Sequence, residues 1–170
     1  IDEDEYYGSS PDMGAFEFES ECAVELGDIS GDGTWNVLDI VQLANCVLSQ
    51  NCADLARQAD LGVANDATAS SLILKNSQLS IEANGVIGGV QMTLTHGDDF
   101  TIEMTNYALL ANYLTEDNET RLLVITPETD ELFRYSGNFE IAEVIVANSH
   151  VEISVELPVV QEYSLGKAYP

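Results

Sequence analysis

Apolar and polar side chains alternate with a period of two through most of residues 70–157, and this pattern limits the fold more than any other feature. Successive side chains of a β-strand point to opposite faces, so the pattern predicts strands with one buried face. Val90 to Leu94 is a clear case, whereas the continuous apolar run Leu122 to Ile125 predicts a central strand. The alternation in Phe139 to Val146 slips phase near Ala142-Glu143, which predicts a β-bulge. With turn signals between the segments, about seven to nine strands are expected, in a mainly β, antiparallel β-sandwich.

The segment Asp28 to Asp39 spaces oxygen-bearing side chains as a twelve-residue calcium loop requires. Gly33 stands where such a loop makes its sharp turn, and Trp35 stands where the loop normally packs inward. A hard cation takes about six to eight oxygen ligands, and the carboxylates would also neutralise its charge. The predicted Ca²⁺ ligands are Asp28, Ser30, Asp32, Thr34 through its backbone carbonyl, Asn36 and Asp39.

A single amphipathic helix is predicted directly after this loop. Apolar residues recur there at the helical spacing, and Glu21 to Gly27 before the loop is too short for a helix of useful length. The residues of the predicted apolar face are Val37, Ile40, Val41, Ala44, Val47 and Leu48. The stretch Gly27 to Leu48, GDISGDGTWNVLDIVQLANCVL, resembles one half of a type I dockerin, which implies calcium ligation by the same six residues. Dockerins usually have two such repeats, and Asp54 to Ala69 contains no second loop at this spacing.

Three further segments resemble parts of exported proteins. Val86 to Leu94 is similar to a strand motif of cohesin-like sandwiches. Ser10 to Phe18 is similar to the segment that closes secreted right-handed parallel β-helix domains. Tyr163 to Pro170 resembles the lead-in to a type IX secretion sorting tail. Together these resemblances imply part of a large exported bacterial protein, located outside the cell or on its surface.

The chain is accordingly divided into four regions. These are an acidic N-terminal extension with a strand (1–26), the calcium loop and helix (27–66), the β-sandwich (70–162) and a C-terminal tail (163–170). The three cysteines predict one disulfide in an oxidising compartment, either Cys46–Cys52 or Cys22–Cys52. A zinc site is not expected, because the chain has no CxxC pair and only 2 histidines.

The charge of the chain excludes several classes of partner. It has 30 Asp and Glu against 5 Lys and Arg, a formal net charge of -25, which repels nucleic acid and anionic membranes. Disorder is not expected, because 45% of the residues are hydrophobic. Enzymatic activity is not expected either, because no nucleophile motif accompanies His96, Asp98 and Asp99, which read as a turn between strands.

The sequence therefore predicts a non-catalytic, extracellular, calcium-binding interaction or assembly module. Its partner would be another protein or a copy of itself, and the apolar segment Ala15 to Phe18 would pair with its own sandwich or with a neighbouring copy, giving a fibre. The alternative is an accessory, carbohydrate-binding tail of a secreted polysaccharide-degrading enzyme. The only tryptophan is Trp35, inside the calcium loop, and this favours the interaction module.

Overall fold

A computed structural model describes residues 26–50, 52 and 65–158 of the chain. The predictions for the strand at Ala15 to Phe18, for Cys22 and for the C-terminal tail lie outside these residues. The described part contains one helix and nine strands. They are α1 (Val37–Ser49), β1 (Ala69–Lys75), β2 (Gln78–Ala83), β3 (Gly89–His96), β4 (Thr101–Met104), β5 (Ala108–Glu116), β6 (Glu119–Pro127), β7 (Glu131–Ser136), β8 (Phe139–Ala147) and β9 (Glu152–Glu156).

The strands form two sheets that are joined through β9. The first sheet has the order β4-β7-β2-β1 and the second has the order β8-β3-β6-β5. Strand β9 pairs antiparallel with β8 and parallel with β1. All other pairs are antiparallel. The predicted mainly β sandwich, preceded by a single helix, is confirmed. The parallel pair β1–β9 is the exception to the predicted antiparallel pairing, and parallel strands need a long crossover connection.

The core lies between the two sheets and uses the alternation seen in the sequence. In β3, Val90, Met92 and Leu94 are fully buried, and they belong to the same cluster as Leu79 and Phe133 of the first sheet. Along β8, the predicted bulge is confirmed. Thr93 of β3 faces Glu143 and Leu94 faces Ile141, so Ala142 is the extra residue.

Strand β6 lies inside the second sheet, between β3 and β5, as its continuous apolar run predicts. Leu122 and Val124 point into the core between the sheets. Leu123 and Ile125 belong to a separate cluster on the opposite face, together with residues of α1. The run is apolar without alternation because both faces of this strand are covered.

Helix α1 packs on this outer face of the second sheet. Val37, Leu38 and Val41 from its first two turns are buried against Ile125 of β6 and Ala147 of β8. Three residues of the predicted apolar face, Ile40, Val47 and Leu48, are exposed in the described part of the chain. The prediction was wrong for Val47 and Leu48 because the contact with the sheet comes from the first two turns, and it was wrong for Ile40 because Leu38, not Ile40, is buried in those turns.

A pair of glycines allows the helix to approach the sheet closely. A Cβ atom on Gly89 would lie 2.6 Å from Cγ2 of Val37, and one on Gly88 would lie 2.6 Å from Cγ1 of Val41. Real Cβ atoms do not come this near to another carbon. Close approach of α1 therefore requires residues without side chains at both positions.

The end of α1 is held by a disulfide. Cys46 is bonded to Cys52, the first of the two predicted pairings. Gln50, between them, has left-handed backbone angles (φ 55°), and its N–H donates to the carbonyls of Cys46 and Val47. In the described residues, no helix has the length and apolar character needed to cross a membrane.

We expect Gly89→Val to displace α1 from the sheet, because the added side chain would occupy the space of Val37. Overpacking of this kind costs about 1–3 kcal/mol. Hydrogen exchange of the α1 amides should accelerate while the exchange of β3 and β6 changes little. Thr95→Val is the matched control, since Thr95 lies on the same strand and is exposed. Unchanged exchange in α1 of Gly89→Val would show that the glycine is not needed for docking.

Candidate metal site

The loop before α1 is folded around the side chain of Asp28. Its Oδ1 accepts a hydrogen bond from the backbone N–H of Gly31 at 2.8 Å, and its Oδ2 accepts from Gly33 at 3.0 Å. Gly31 and Gly33 have φ angles of 74° and 83°, where side chains with a Cβ are strained. The two glycines therefore let the chain turn tightly enough for its N–H groups to point at one carboxylate.

Asp39, at the other end of the loop, joins the loop to the helix. Its Oδ1 accepts from the backbone N–H of Ser30 and its Oδ2 accepts from Asn36, both at 2.9 Å. Asn36 is the residue before the helix, and its Oδ1 accepts from the N–H of Leu38 at 2.7 Å. This reciprocal capping fixes the first turn of α1 and satisfies backbone donors that a helix leaves free.

Asp32 lies between these two carboxylates along the loop and is exposed. Its Oδ1 accepts hydrogen bonds from the side-chain hydroxyl of Thr34 at 2.7 Å and from the Thr34 backbone N–H at 2.8 Å. These two hydrogen bonds, the hydroxyl first, lower the pKa of Asp32 below its ordinary value. Asp32 therefore keeps its negative charge through the neutral and mildly acidic range.

Asn36 directs its amide nitrogen, not its oxygen, toward the other loop oxygens. Nδ2 lies 2.9 Å from Oγ1 of Thr34, 3.3 Å from Oδ2 of Asp32 and 3.0 Å from Oε1 of Glu152. Glu152 opens strand β9 and is 116 residues away in the sequence. Sequence reasoning missed this residue, because no local spacing connects it to the loop.

Among the charged residues that the structure describes, only Asp28 and Asp39 are buried, with 6% and 5% of their surface exposed. The ion pairs in those residues are Arg121–Glu119 and Arg134–Glu131, far from the loop in sequence. Buried carboxylates without a counter-charge are costly. All hydrogen bonds they accept come from neutral groups, so a bound cation would supply the missing positive charge.

The oxygen atoms of the loop suit a hard cation such as Ca²⁺. They comprise carboxylates of Asp28, Asp32 and Asp39, the Ser30 hydroxyl and backbone carbonyls such as that of Thr34. Within residues 26–50 and 65–158, no three His, Cys, Asp or Glu side chains converge closely enough to hold a metal by themselves. A cation would thus depend on hydroxyl and carbonyl oxygens in addition to the carboxylates.

Trp35 of the loop does not pack inward as the sequence predicts. It is 68% exposed, and Val37, two residues further on, is fully buried against the sheet instead. The contact between this segment and the sandwich is made by the first residues of the helix, and Trp35 lies outside that contact, exposed to solvent. Its indole can therefore report on the loop without being part of the core.

Strand β5 presents a second distinctive surface. Among the described strands it pairs only with β6, so it is an edge strand of the second sheet. Four of its large apolar side chains are exposed, namely Leu109, Leu110, Tyr113 and Leu114. A groove of about 340 Å³ lies beside them, lined in part by Thr93, Arg121 and Leu123. Long apolar edge strands are templates for pairing with another strand.

Comparisons with known proteins give one structural neighbour. No protein-family model and no curated protein matches the chain. The solved structure of a non-cellulosomal cohesin from the hyperthermophilic archaeon Archaeoglobus fulgidus is similar to it, with 11% sequence identity and a TM-score of 0.35. The similarity covers 55% of this chain and 83% of the cohesin.

We expect Asp39→Ala to loosen both the loop and the start of the helix, because the backbone N–H groups of Ser30 and Asn36 lose their acceptor. The buried N–H of Asn36, left without a partner, costs about 1–3 kcal/mol, and the half-buried N–H of Ser30 costs less because water can reach it. Amide exchange at Ser30 and Asn36, measured in chelator, should accelerate strongly. Asp98→Ala removes the same charge from an exposed turn and should leave exchange at both positions unchanged. Equal effects of the two variants would mean that total charge, not these hydrogen bonds, controls the loop.

Proposed function

We propose that this protein is a non-catalytic, extracellular interaction and assembly module whose helix is fixed to a β-sandwich by a calcium-binding loop. The ion would be held by Asp28, Ser30, Asp32, the backbone carbonyl of Thr34 and Asp39, with Asn36 shaping the same loop. The observation that carries the proposal is the burial of Asp28 and Asp39, the only buried charges in the described residues. Burial of a charged carboxylate is costly, and a cation bound beside Asp28 and Asp39 would offset that cost in a chain whose net charge is -25.

The position of the loop supports a structural role for the ion. Asp39 belongs to both the loop and the first turn of α1, and that turn contains Val37 and Leu38, which are buried on the sheet. An ion that fixes Asp39 therefore also fixes the docked end of the helix. Calcium supplies folding free energy where a loop is otherwise weakly supported.

Calcium should bind after removal with a chelator, and it should change the fluorescence of Trp35, which lies exposed within the loop. Asp28→Ala should weaken binding by at least about tenfold, because it removes a charged oxygen ligand. Isothermal titration calorimetry measures the calcium affinity of the unaltered chain and of Asp28→Ala. Asp98→Ala, in an exposed turn, is the charge-matched control. No heat and no fluorescence change in the unaltered protein would exclude a calcium site.

The exposed edge of β5 is the surface we assign to assembly. Its proposed occupant is the segment Ala15 to Phe18 of a second copy, which alternates two phenylalanines with Ala15 and Glu17. Added strands gain main-chain hydrogen bonds and place alternate side chains in pockets. The groove beside β5 is bordered by Tyr113 and Leu114, whose exposed apolar side chains would contact the phenylalanines of this segment. Repetition of this head-to-tail contact would produce a fibre.

Calcium would favour such contacts by reducing the electrostatic repulsion between chains of charge -25. This repulsion acts only over about 8 Å at physiological ionic strength, so it opposes close contacts between chains.

We expect light scattering at millimolar calcium to show assemblies of the full chain. Deletion of residues 1–18, or Leu114→Lys on β5, should leave monomers. Leu157→Lys alters an equally exposed leucine away from this edge and should still assemble. A full chain that stays monomeric at high concentration would contradict assembly through this edge.

A further inference from the structure

We propose that Glu152 is a positioning residue of the calcium loop, through which strand β9 of the sandwich sets the affinity for the ion. This inference rests on the proposed function and concerns the same site. Its basis is the hydrogen bond from Nδ2 of Asn36 to Oε1 of Glu152, at 3.0 Å. It is a direct side-chain link between the loop and a strand.

The orientation of the Asn36 amide follows from its partners. Its Oδ1 accepts from the N–H of Leu38, while its Nδ2 faces oxygens of Asp32, Thr34 and Glu152. Turning the amide over would place its oxygen against these three oxygens and its NH₂ against the Leu38 N–H. Only the observed orientation gives the Leu38 N–H an acceptor and directs the two amide hydrogens at these oxygens. Asn36 is 7% exposed, so lost partners could not readily be replaced by water.

Glu152 is the one partner of this amide that does not belong to the loop. Asp32 and Thr34 move with the loop, so their hydrogen bonds cannot fix it relative to the sandwich. Strand β9, by contrast, is paired with β1 of one sheet and β8 of the other. Glu152 therefore ties the loop to the strand that joins the two sheets, and it holds the amide that in turn orients the carboxylate of Asp32.

Docking of the helix does not depend on this hydrogen bond. The apolar contacts of Val37 and Val41 remain without it, and Nε2 of Gln42 donates separately to the carbonyl of His150 at 3.3 Å. Loss of Glu152 should therefore change the calcium affinity and leave α1 on the sheet. This distinguishes a positioning role from a merely structural one.

Two substitutions separate the hydrogen bond from the charge. Glu152→Gln keeps an oxygen acceptor for Asn36 and removes the charge, whereas Glu152→Ala removes both. Residues that orient metal ligands typically contribute about 10–100-fold to metal affinity. We expect Glu152→Ala to bind calcium about tenfold more weakly and Glu152→Gln to stay within about threefold of the unaltered chain. Glu156→Ala, on the same exposed face of β9, is the control and should bind normally.

The experiment is a calcium titration by calorimetry of the full chain and the three variants, with hydrogen exchange of α1 measured in chelator. Weaker binding by Glu152→Ala alone, with unchanged exchange in α1, is the expected result. Undiminished binding by Glu152→Ala would overturn the inference, and so would equally weak binding by Glu152→Gln, which would indicate charge alone. If the unaltered chain binds no calcium, the proposed function fails and this inference fails with it. Binding by the unaltered chain with an undiminished Glu152→Ala overturns the positioning role only.

Discussion

The contact between the start of α1 and the outer face of the second sheet determines most of what is unusual in this molecule. It covers Leu123 and Ile125, so β6 is apolar on both faces, unlike an ordinary strand of a two-layer sandwich. It requires Gly88 and Gly89, because any Cβ there would meet the valines of the helix. It also places the loop that precedes α1 beside the first residue of β9.

Almost all charged side chains of the described residues are exposed to solvent, and two are buried. The chain carries 30 acidic residues, and in the described part nearly all of them lie where water can solvate them. The two exceptions, Asp28 and Asp39, are buried at the two ends of one loop and accept only neutral N–H and O–H donors. The hydrogen bonds from backbone N–H groups offset part of the cost of burying these two carboxylates, and no basic side chain of the described residues pairs with them.

The sequence predicted the features that depend on nearby residues. Alternation located the strands, the phase slip near Ala142 located the bulge, and helical spacing located the helix. The sequence left two partners open for Cys52, and the structure pairs it with Cys46. Features set by distant residues were not predictable. The parallel pairing of β1 with β9 and the hydrogen bond from Asn36 to Glu152 join segments with no pattern in common. The exposure of Val47 likewise does not follow from helical periodicity, because only the start of the helix contacts the sheet.

The loop, the helix and the groove beside β5 form one continuous layer on the second sheet. Leu123 packs against the cluster that includes the buried start of α1, and it also lines the groove. Its neighbour across the strands, Asn112 of β5, lines the groove from the other side. A segment bound in this groove would therefore contact Leu123, which packs against the cluster that holds the helix. Leu123 of β6 is thus shared by the helix cluster and the groove, so the position of α1 affects one wall of the groove.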